Sequence, residues 1–269
     1  MQKNSEIVLQ CININKTYEL KEGFFGRKIK ITALKNINLT VYSKEILGLV
    51  GESGSGKSTL GKIILRLIEP DSGKIIFDNQ DITNLKYGEM KKIRPKIQAI
   101  FQDPLSSLNP RMRVIDLLRE PLQIHTKKAL KDIDNEIALT LDQVGISIDD
   151  TFKYPHEFSG GQRQRINIAR ALLLKPKFII ADEPVSSLDV SIQAQILNLF
   201  MELQKVYGFS MLFISHDLRV VRHISDKIAV ISKGEIVEFG ETQRIFDHPQ
   251  HEYTKKLISS LPEKHLVNQ

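Results

Sequence analysis

A glycine-rich segment at residues 51–58 constrains the fold of this chain more than any other feature of its sequence. Its letters, GESGSGKS, match the pattern G-x-x-x-x-G-K-[ST] in full. An apolar run, Glu45–Val50, precedes the segment, and a helical pattern from Ser58 to Ile68 follows it. Glycines let the backbone curl so that successive amide N–H groups point at one anion, and the helix adds its positive N-terminal end. The segment therefore predicts a phosphate-binding loop between a buried strand and a helix.

Two side chains of this loop suit the polyphosphate of a nucleoside triphosphate, as in kinases, GTPases, helicases and ABC cassettes alike. The Lys57 amine is placed to reach the β- and γ-phosphates, and the Ser58 hydroxyl is placed to bind Mg²⁺. A glycine turn that happens to contain Gly-Lys-Ser is the alternative, but the strand before and the helix after it favour the phosphate site. The predicted nucleotide contacts of the loop are Gly51, Glu52, Ser53, Gly54, Ser55, Gly56, Lys57, Ser58 and Thr59.

A second apolar run ends in two acidic residues. Phe178–Asp182 has the pattern of a buried strand, and Glu183 follows directly. Burying a pair of carboxylates costs free energy unless a cation or a bound proton neutralises their charge. We therefore predict that Asp182 is a Mg²⁺ ligand and that Glu183 polarises the attacking water. A solvated strand end is the alternative for this pair taken alone.

The remaining pattern predicts alternating strands and helices around a helical insertion. Short strands are expected at Ile7–Ile14 and Ala33–Val41 around a polar loop at Lys21–Lys30, with another strand at Lys74–Asp78. Between about Pro104 and Phe158 the apolar spacing becomes helical, and Gly145 is a plausible helix stop. Helices and strands then alternate: a helix at Arg163–Leu174, the strand at Phe178–Asp182, a helix at Ser191–Val206, strands at Met211–Ser215 and Ile228–Ile231, and two short helical segments after Thr242.

Composition excludes several other classes of protein. The single cysteine, Cys11, cannot form an internal disulfide, so a reducing cytoplasm is expected. The net charge is +6, but the lysines are scattered, so no nucleic-acid partner is predicted. No run approaches the roughly 18 apolar residues of a membrane-spanning helix, and residues 1–15 lack a secretory signal pattern.

The segment Phe158–Gln162 separates this chain from other proteins with a phosphate-binding loop. Ser159 and two glycines at a predicted helix start form a second anion site. A second phosphate-facing site in one chain is explained most simply if it closes over a nucleotide held by another subunit. Together with the loop and the acidic strand end, this segment resembles the signature of the ABC ATPase family, with Phe158 where leucine is commoner.

That resemblance covers nearly the whole chain and implies further site residues. Gln102 resembles the Q-loop glutamine that senses Mg²⁺ and the attacking water, and Asp189 lies in a segment similar to the D-loop at the dimer interface. His216 resembles the switch histidine that contacts the γ-phosphate, and Tyr18 is the expected adenine-stacking aromatic. The signature residues that the resemblance assigns to the opposite nucleotide are Ser159, Gly160, Gly161 and Gln162.

Three longer stretches resemble the ATPases of dipeptide, oligopeptide and nickel importers. They are residues 101–111, 154–165 and 181–191, and the tail at His248–Leu257 is similar to that group as well. The Lys21–Lys30 loop resembles the second of the paired ATPase subunits. Many peptide-importer ATPases continue into a cysteine-bearing extension, but this chain has no cysteine after Cys11, so no iron–sulfur cluster is expected. Peptides, antimicrobial peptides, nickel and metal–chelator complexes all stay open as cargo.

The resemblance implies an α/β fold: a RecA-like P-loop NTPase core with a parallel sheet, an N-terminal antiparallel β subdomain and an inserted α-helical subdomain. One domain at 1–269 is expected, with its core at 6–103 and 159–241, the helical subdomain at 104–158 and a helical tail at 242–269. The expected partners are a homologous ATPase, two permeases and a substrate-binding protein, with this chain on the cytoplasmic face of the membrane. A non-transport ABC ATPase and an unrelated P-loop kinase are the competing hypotheses, and the kinase would lack Ser159–Gln162 and His216.

Overall fold

Two long antiparallel strands open the structure. They are β1 (Ile7–Lys21) and β2 (Lys28–Tyr42), in a computed structural model that describes residues 6–21, 28–103 and 107–261. With β4 (Ser72–Phe77) and β5 (Gln80–Asp81) they form a sheet in the order β2-β1-β4-β5. Both strands are longer than the sequence predicts, since Thr17 pairs with Thr32 and Tyr18 with Ile31. The middle of the predicted polar loop, residues 22–27, lies outside the described residues.

The chain divides into two compact units, of which the first comprises Met1–Leu85 and Leu212–Gln269. Besides the antiparallel sheet, this unit contains the buried strand β3 (Ile46–Val50), which pairs in parallel with β9 (Lys227–Ser232). Strand β10 (Glu235–Glu241) pairs antiparallel to β9. The helices of this unit are α1 (Lys57–Ile64), α7 (Leu218–Ile224), α8 (Thr242–Asp247) and α9 (Glu252–Ser259).

Helix α1 is shorter than its sequence pattern predicts. It ends at Ile64, four residues before the predicted stop at Ile68. Arg66 has a φ of 52°, in the left-handed region that a continuing right-handed helix cannot use. The residues before Pro70 therefore form an irregular turn, not a last helical turn.

The second unit comprises residues 86–211. Its parallel strands are β6 (Ile97–Ile100) and β7 (Phe178–Asp182), and β8 (Ser210–Ser215) begins at its end. The predicted helical stripe is confirmed, because Ile133, Ile137, Leu141 and Val144 are all buried on one helix that stops at Gly145, with φ of 69°. The helices of this unit are α2 (Tyr87–Ile93), α3 (Val114–His125), α4 (Leu130–Val144), α5 (Gly160–Leu172) and α6 (Val190–Tyr207).

Two predicted properties of the chain concern its apolar segments and its thiol. Across residues 6–21, 28–103 and 107–261, no helix combines the length and apolarity that crossing a membrane requires. The single thiol, Cys11, is buried in β1, and this burial raises its pKa to about 12. The thiol is therefore uncharged at neutral pH and a poor nucleophile.

A partly buried ion pair between Glu45 and Lys227 stabilises the segment that leads into β3. The Glu45 side chain is 8% exposed and accepts a hydrogen bond from the Tyr42 amide at 2.8 Å. Its other carboxylate oxygen lies 2.7 Å from the Lys227 amine at the start of β9. The Lys227 amine also lies 4.7 Å from the Tyr42 ring centroid. Burial opposes the charge of Lys227, but Glu45 outweighs it and holds the lysine pKa above its ordinary value.

We predict that Glu45→Gln destabilises the chain by about 1–3 kcal/mol, because the partly buried Lys227 amine keeps only the more distant Glu241 carboxylate, at 3.9 Å, as a charged partner. Urea unfolding followed by circular dichroism measures the change. The matched control is Glu19→Gln, whose 3.6 Å pair with Lys30 is exposed and is expected to contribute less than about 1 kcal/mol. Equal stability losses in the two variants would contradict this account of β3.

Candidate functional site

The predicted phosphate loop lies between the end of β3 at Val50 and the start of α1 at Lys57. Two of its glycines are required by close packing. A Cβ atom at Gly51 would lie 2.1 Å from the Ile231 carbonyl oxygen, and one at Gly56 would lie 2.5 Å from the Ala33 carbonyl oxygen. Gly56 also has a φ of 110°, which side-chain-bearing residues rarely adopt. The loop path thus depends on glycine at both positions.

The Lys57 side chain folds back over the loop. Lys57 is buried, and its amine donates hydrogen bonds to the carbonyl oxygens of Gly51 at 2.7 Å and Glu52 at 2.9 Å. Both acceptors are main-chain oxygens of the loop itself, so the lysine amine is oriented by the loop backbone. The positive charge of Lys57 is therefore held at a fixed position within the loop.

The loop geometry fits an anionic ligand. Gly56 is the N-cap residue of α1, and no side chain among the described residues caps this helix start. The Ser55 hydroxyl is buried and has no hydrogen-bond partner in the part of the chain that the structure describes. Amide groups at an uncapped helix start and an unpartnered buried hydroxyl are the donors that a phosphate requires.

A cavity of about 340 Å³ opens beside the loop in the first unit. Loop residues 52–55 line one side, and Ser232, Lys233, Tyr253 and Lys256 line the other. The turn after β9 supports the loop directly, because the Gly234 amide donates a 3.0 Å hydrogen bond to the Ser55 carbonyl. The cavity is therefore bordered by the loop, the β9–β10 turn and helix α9.

His216 is exposed and follows directly after β8. The next residue, Asp217, caps α7 by accepting a hydrogen bond from the Arg219 amide at 2.9 Å. Burial opposes ionisation of Asp217, but hydrogen bonds from Arg219 outweigh it, so the pKa of this carboxyl lies below its ordinary value. A cavity of about 360 Å³ lies here, lined by residues 216–219 and by Leu257 on α9.

Tyr18 lies on β1 with its side chain 36% exposed. The Lys16 amine is 5.7 Å from the centroid of its ring. An exposed aromatic face beside a cation is compatible with stacking against a base. Its assignment to adenine stays a prediction.

The acidic pair lies in the second unit, at the end of β7. Asp182 is the last residue of the strand, and both carboxylates are half-buried. Glu183 has a φ of 49°, a left-handed conformation that is strained for a residue with a side chain. Its carbonyl accepts hydrogen bonds from the amide and the hydroxyl of Ser186, so a tight turn holds this conformation.

The predicted signature begins helix α5 at Gly160, three residues earlier than the pattern at Arg163 indicates. Ser159 and Gln162 form a reciprocal capping box: the Ser159 hydroxyl accepts from the Gln162 amide at 3.3 Å, and the Gln162 side chain accepts from the Ser159 amide at 2.9 Å. This capping supplies the extra helical turn. The Ser159 side chain thus has a structural role at the helix start.

The two signature glycines pack closely against the segment that follows the acidic pair. A Cβ atom at Gly161 would lie 2.7 Å from the Ile192 side chain, and one at Gly160 would lie 3.3 Å from the Leu188 side chain. Asp189 follows as the N-cap residue of α6 and is exposed. The second unit therefore brings the signature and the predicted D-loop together.

Gln102 is exposed, two residues after β6 ends at Ile100. Residues 104–106 of the resembling stretch that follows it lie outside the described residues. Its exposed place at a strand end suits a residue that contacts ligand or partner.

Two contacts of the site have no signal in the local sequence. The Tyr253 hydroxyl accepts a 2.9 Å hydrogen bond from the Glu52 amide of the loop, across 201 positions of sequence. The Gln193 side chain donates to the carbonyls of Val185 at 2.9 Å and Leu188 at 3.0 Å, and so holds the segment after the acidic pair. Tyr253 lies within the tail segment that resembles importer ATPases, but that resemblance does not indicate a contact with the glycine-rich loop.

Two family models match the chain. Residues 34–186, more than half of it, match the ABC transporter model. Residues 237–268 match the model of the oligopeptide/dipeptide transporter C-terminal region.

Relatives with known names are similar over almost the whole chain. The oligopeptide transport ATP-binding protein AppF of Bacillus subtilis is 46% identical, over 96% of this chain and 79% of the relative. The oligopeptide transport ATP-binding protein OppF of Streptococcus mutans is 47% identical, over 98% and 84%. The glutathione import ATP-binding protein GsiA of Escherichia coli is 47% identical over 96% of this chain, which spans 42% of that relative.

Solved structures agree with the predicted P-loop NTPase fold. The post-hydrolysis dimer of the cassette MJ0796, bound to ADP and Pi, superimposes with a TM-score of 0.77 at 31% identity, over 87% of this chain and 98% of that one. CbiO1 of Clostridium perfringens, part of the transporter complex cbiONQ, gives a TM-score of 0.78 at 29% identity, over 96% of both chains. The chain therefore belongs to the ABC transporter family and is one of its ATP-hydrolysing cassettes.

Proposed function

We propose that this cassette energises the import of dipeptides or oligopeptides. The observation that carries the cargo is the match of residues 237–268 to the C-terminal region of oligopeptide and dipeptide transporters. The relatives named above as oligopeptide transport proteins support it over nearly the full chain. Nickel, metal–chelator complexes and antimicrobial peptides are the alternative cargoes.

ATP binds to the glycine-rich loop in this proposal. The amides of residues 51–59 and the uncapped start of α1 surround the β- and γ-phosphates, and the Lys57 amine adds its positive charge to them. Tyr18 stacks on the adenine, for which its exposed ring is suited. Phosphate binding thus uses donors that the loop already presents.

The residues proposed for Mg²⁺ supply only oxygen ligands. They are the Ser58 hydroxyl, the Asp182 carboxylate and the Gln102 amide oxygen. Hard oxygen ligands in small number are what Mg²⁺ takes at phosphate sites, and the bound ion would neutralise phosphate charge.

Hydrolysis depends on the orientation of one water in this proposal. Glu183 accepts a hydrogen bond from the attacking water, and its strained backbone fixes the carboxylate at the end of β7. Lys57 and His216 stabilise the charge that develops on the γ-phosphate. The exposed position of His216 leaves its ring accessible to a ligand.

The signature segment acts on the nucleotide of a second cassette. The amides of Gly160 and Gly161 and the hydroxyl of Ser159 face its phosphates, with Gln162 and Asp189 at the same interface. A homologous ATPase, two permeases and a substrate-binding protein complete the transporter, and this chain lies on the cytoplasmic face of the membrane. The dimeric state of the MJ0796 cassette supports the pairing.

Glu183→Gln is expected to bind ATP normally and to hydrolyse it about 100-fold or more slowly, because an amide is a poor proton acceptor. The variant should accumulate as an ATP-dependent dimer, which light scattering detects. Glu202→Gln, at an exposed position on α6, is the matched control and should hydrolyse ATP at the wild-type rate. A Glu183→Gln chain that stays monomeric with ATP and with any partner ATPase would contradict the sandwich.

Lys57→Ala is expected to abolish uptake of labelled dipeptide in cells, because the loop loses its cation. Lys62→Ala, at an exposed position on the same helix, is the control and should leave uptake unchanged. Nickel uptake is measured in the same strains, which must lack redundant systems. Loss of nickel uptake with peptide uptake retained would replace the peptide cargo by a metal or metal–chelator cargo.

A further inference from the structure

We propose that Tyr253, on the tail helix α9, is a positioning residue for the P-loop lysine. This inference rests on the proposed role of the loop in ATP binding. It concerns one peptide group, the unit that joins Gly51 to Glu52, and the two side chains that hold it.

That peptide group is held from both sides. Its carbonyl oxygen, on Gly51, accepts a hydrogen bond from the Lys57 amine at 2.7 Å. Its N–H, on Glu52, donates to the Tyr253 hydroxyl at 2.9 Å. Because the peptide bond is planar, rotation of this unit would break both contacts together. Tyr253 therefore fixes the direction of the Gly51 carbonyl, one of the two loop carbonyls that orient Lys57.

The Tyr253 hydroxyl is itself fixed. It shares a hydrogen bond with the Ser232 side chain at the end of β9, and both residues line the cavity beside the loop. Desolvation raises the pKa of Tyr253 above its ordinary value, so the hydroxyl stays neutral at physiological pH. The Tyr253 ring is half-buried where it lines this cavity.

Helix α9 is anchored independently of this hydroxyl. The Glu238 carboxylate of β10 accepts hydrogen bonds from the amides of Gln250 at 2.8 Å and His251 at 3.0 Å, just before the helix begins. The His251 side chain caps the helix by accepting from the Tyr253 amide, and Ile258 is buried. Removing the hydroxyl alone should leave the helix in place.

Tyr253→Phe would retain the Lys57 charge, which stabilises the developing charge on the γ-phosphate, and would loosen only the hold on its carbonyl partner. We therefore expect the variant to weaken the binding of ATP and of the transition state by a similar factor. Such a loss of uniform binding raises KM and spares kcat. The effect should match one neutral hydrogen bond, about two- to tenfold in affinity.

The test is Tyr253→Phe, which keeps the ring and removes the hydroxyl. We expect KM for ATP and the Kd for ATP to rise about two- to tenfold, with kcat within about twofold and a melting temperature lowered by no more than about 4 °C. In the absence of nucleotide, Lys57 should also be acetylated faster by acetic anhydride, as mass spectrometry measures, because its carbonyl contact has loosened.

The matched control is Tyr207→Phe, which removes another tyrosine hydroxyl, the one bonded to the Gln143 side chain. It should change none of these quantities. If wild-type protein binds ATP and Tyr253→Phe matches it in Kd, KM and Lys57 acetylation, the positioning role is wrong. If wild-type protein does not bind ATP, the proposed function itself fails. A loss of kcat with KM unchanged would also overturn the inference.

Discussion

The buried amine of Lys57 is the constraint on which the site in the first unit depends. It lies within hydrogen-bond distance of two loop carbonyls, and this requires the backbone to turn tightly around it. This tight turn requires glycine at positions 51 and 56, because a Cβ atom at either position would collide with a neighbouring main-chain carbonyl. Strand β3, the β9–β10 turn and helix α9 each contact the loop and fix it from a different side. The lysine charge is thus in place before any nucleotide arrives.

Much of the fold could be predicted because its strands are apolar runs and its helices have a clear apolar stripe. Strand β3 and the helix that ends at Gly145 follow their patterns closely. The extension of β1 and β2 to Lys21 and Lys28 could not be predicted, because main-chain pairing carries charged residues into these strands without an apolar signal. The early end of α1 depends on the left-handed backbone conformation of Arg66, which an arginine in the sequence does not predict.

The local geometry of the predicted site segments follows from the sequence where neighbouring residues determine it. The glycine-lysine loop is local, and so is the capping box of Ser159 and Gln162, although that box moves the helix start to Gly160. Tyr253 was not predictable, because its contact with Glu52 joins residues 201 positions apart. The strain at Glu183 was also hidden, since it comes from a turn that Ser186 closes.

The most direct test of this account compares the affinities of ATP, ADP and AMP for the purified chain by calorimetry. If the lysine loop binds the β- and γ-phosphates, ATP should bind at least about tenfold more tightly than AMP, through charge-assisted hydrogen bonds. Lys57→Ala should remove most of that difference while Lys62→Ala keeps it. Equal affinities for ATP and AMP in the wild-type chain, or a preference for ATP that survives Lys57→Ala, would contradict the account.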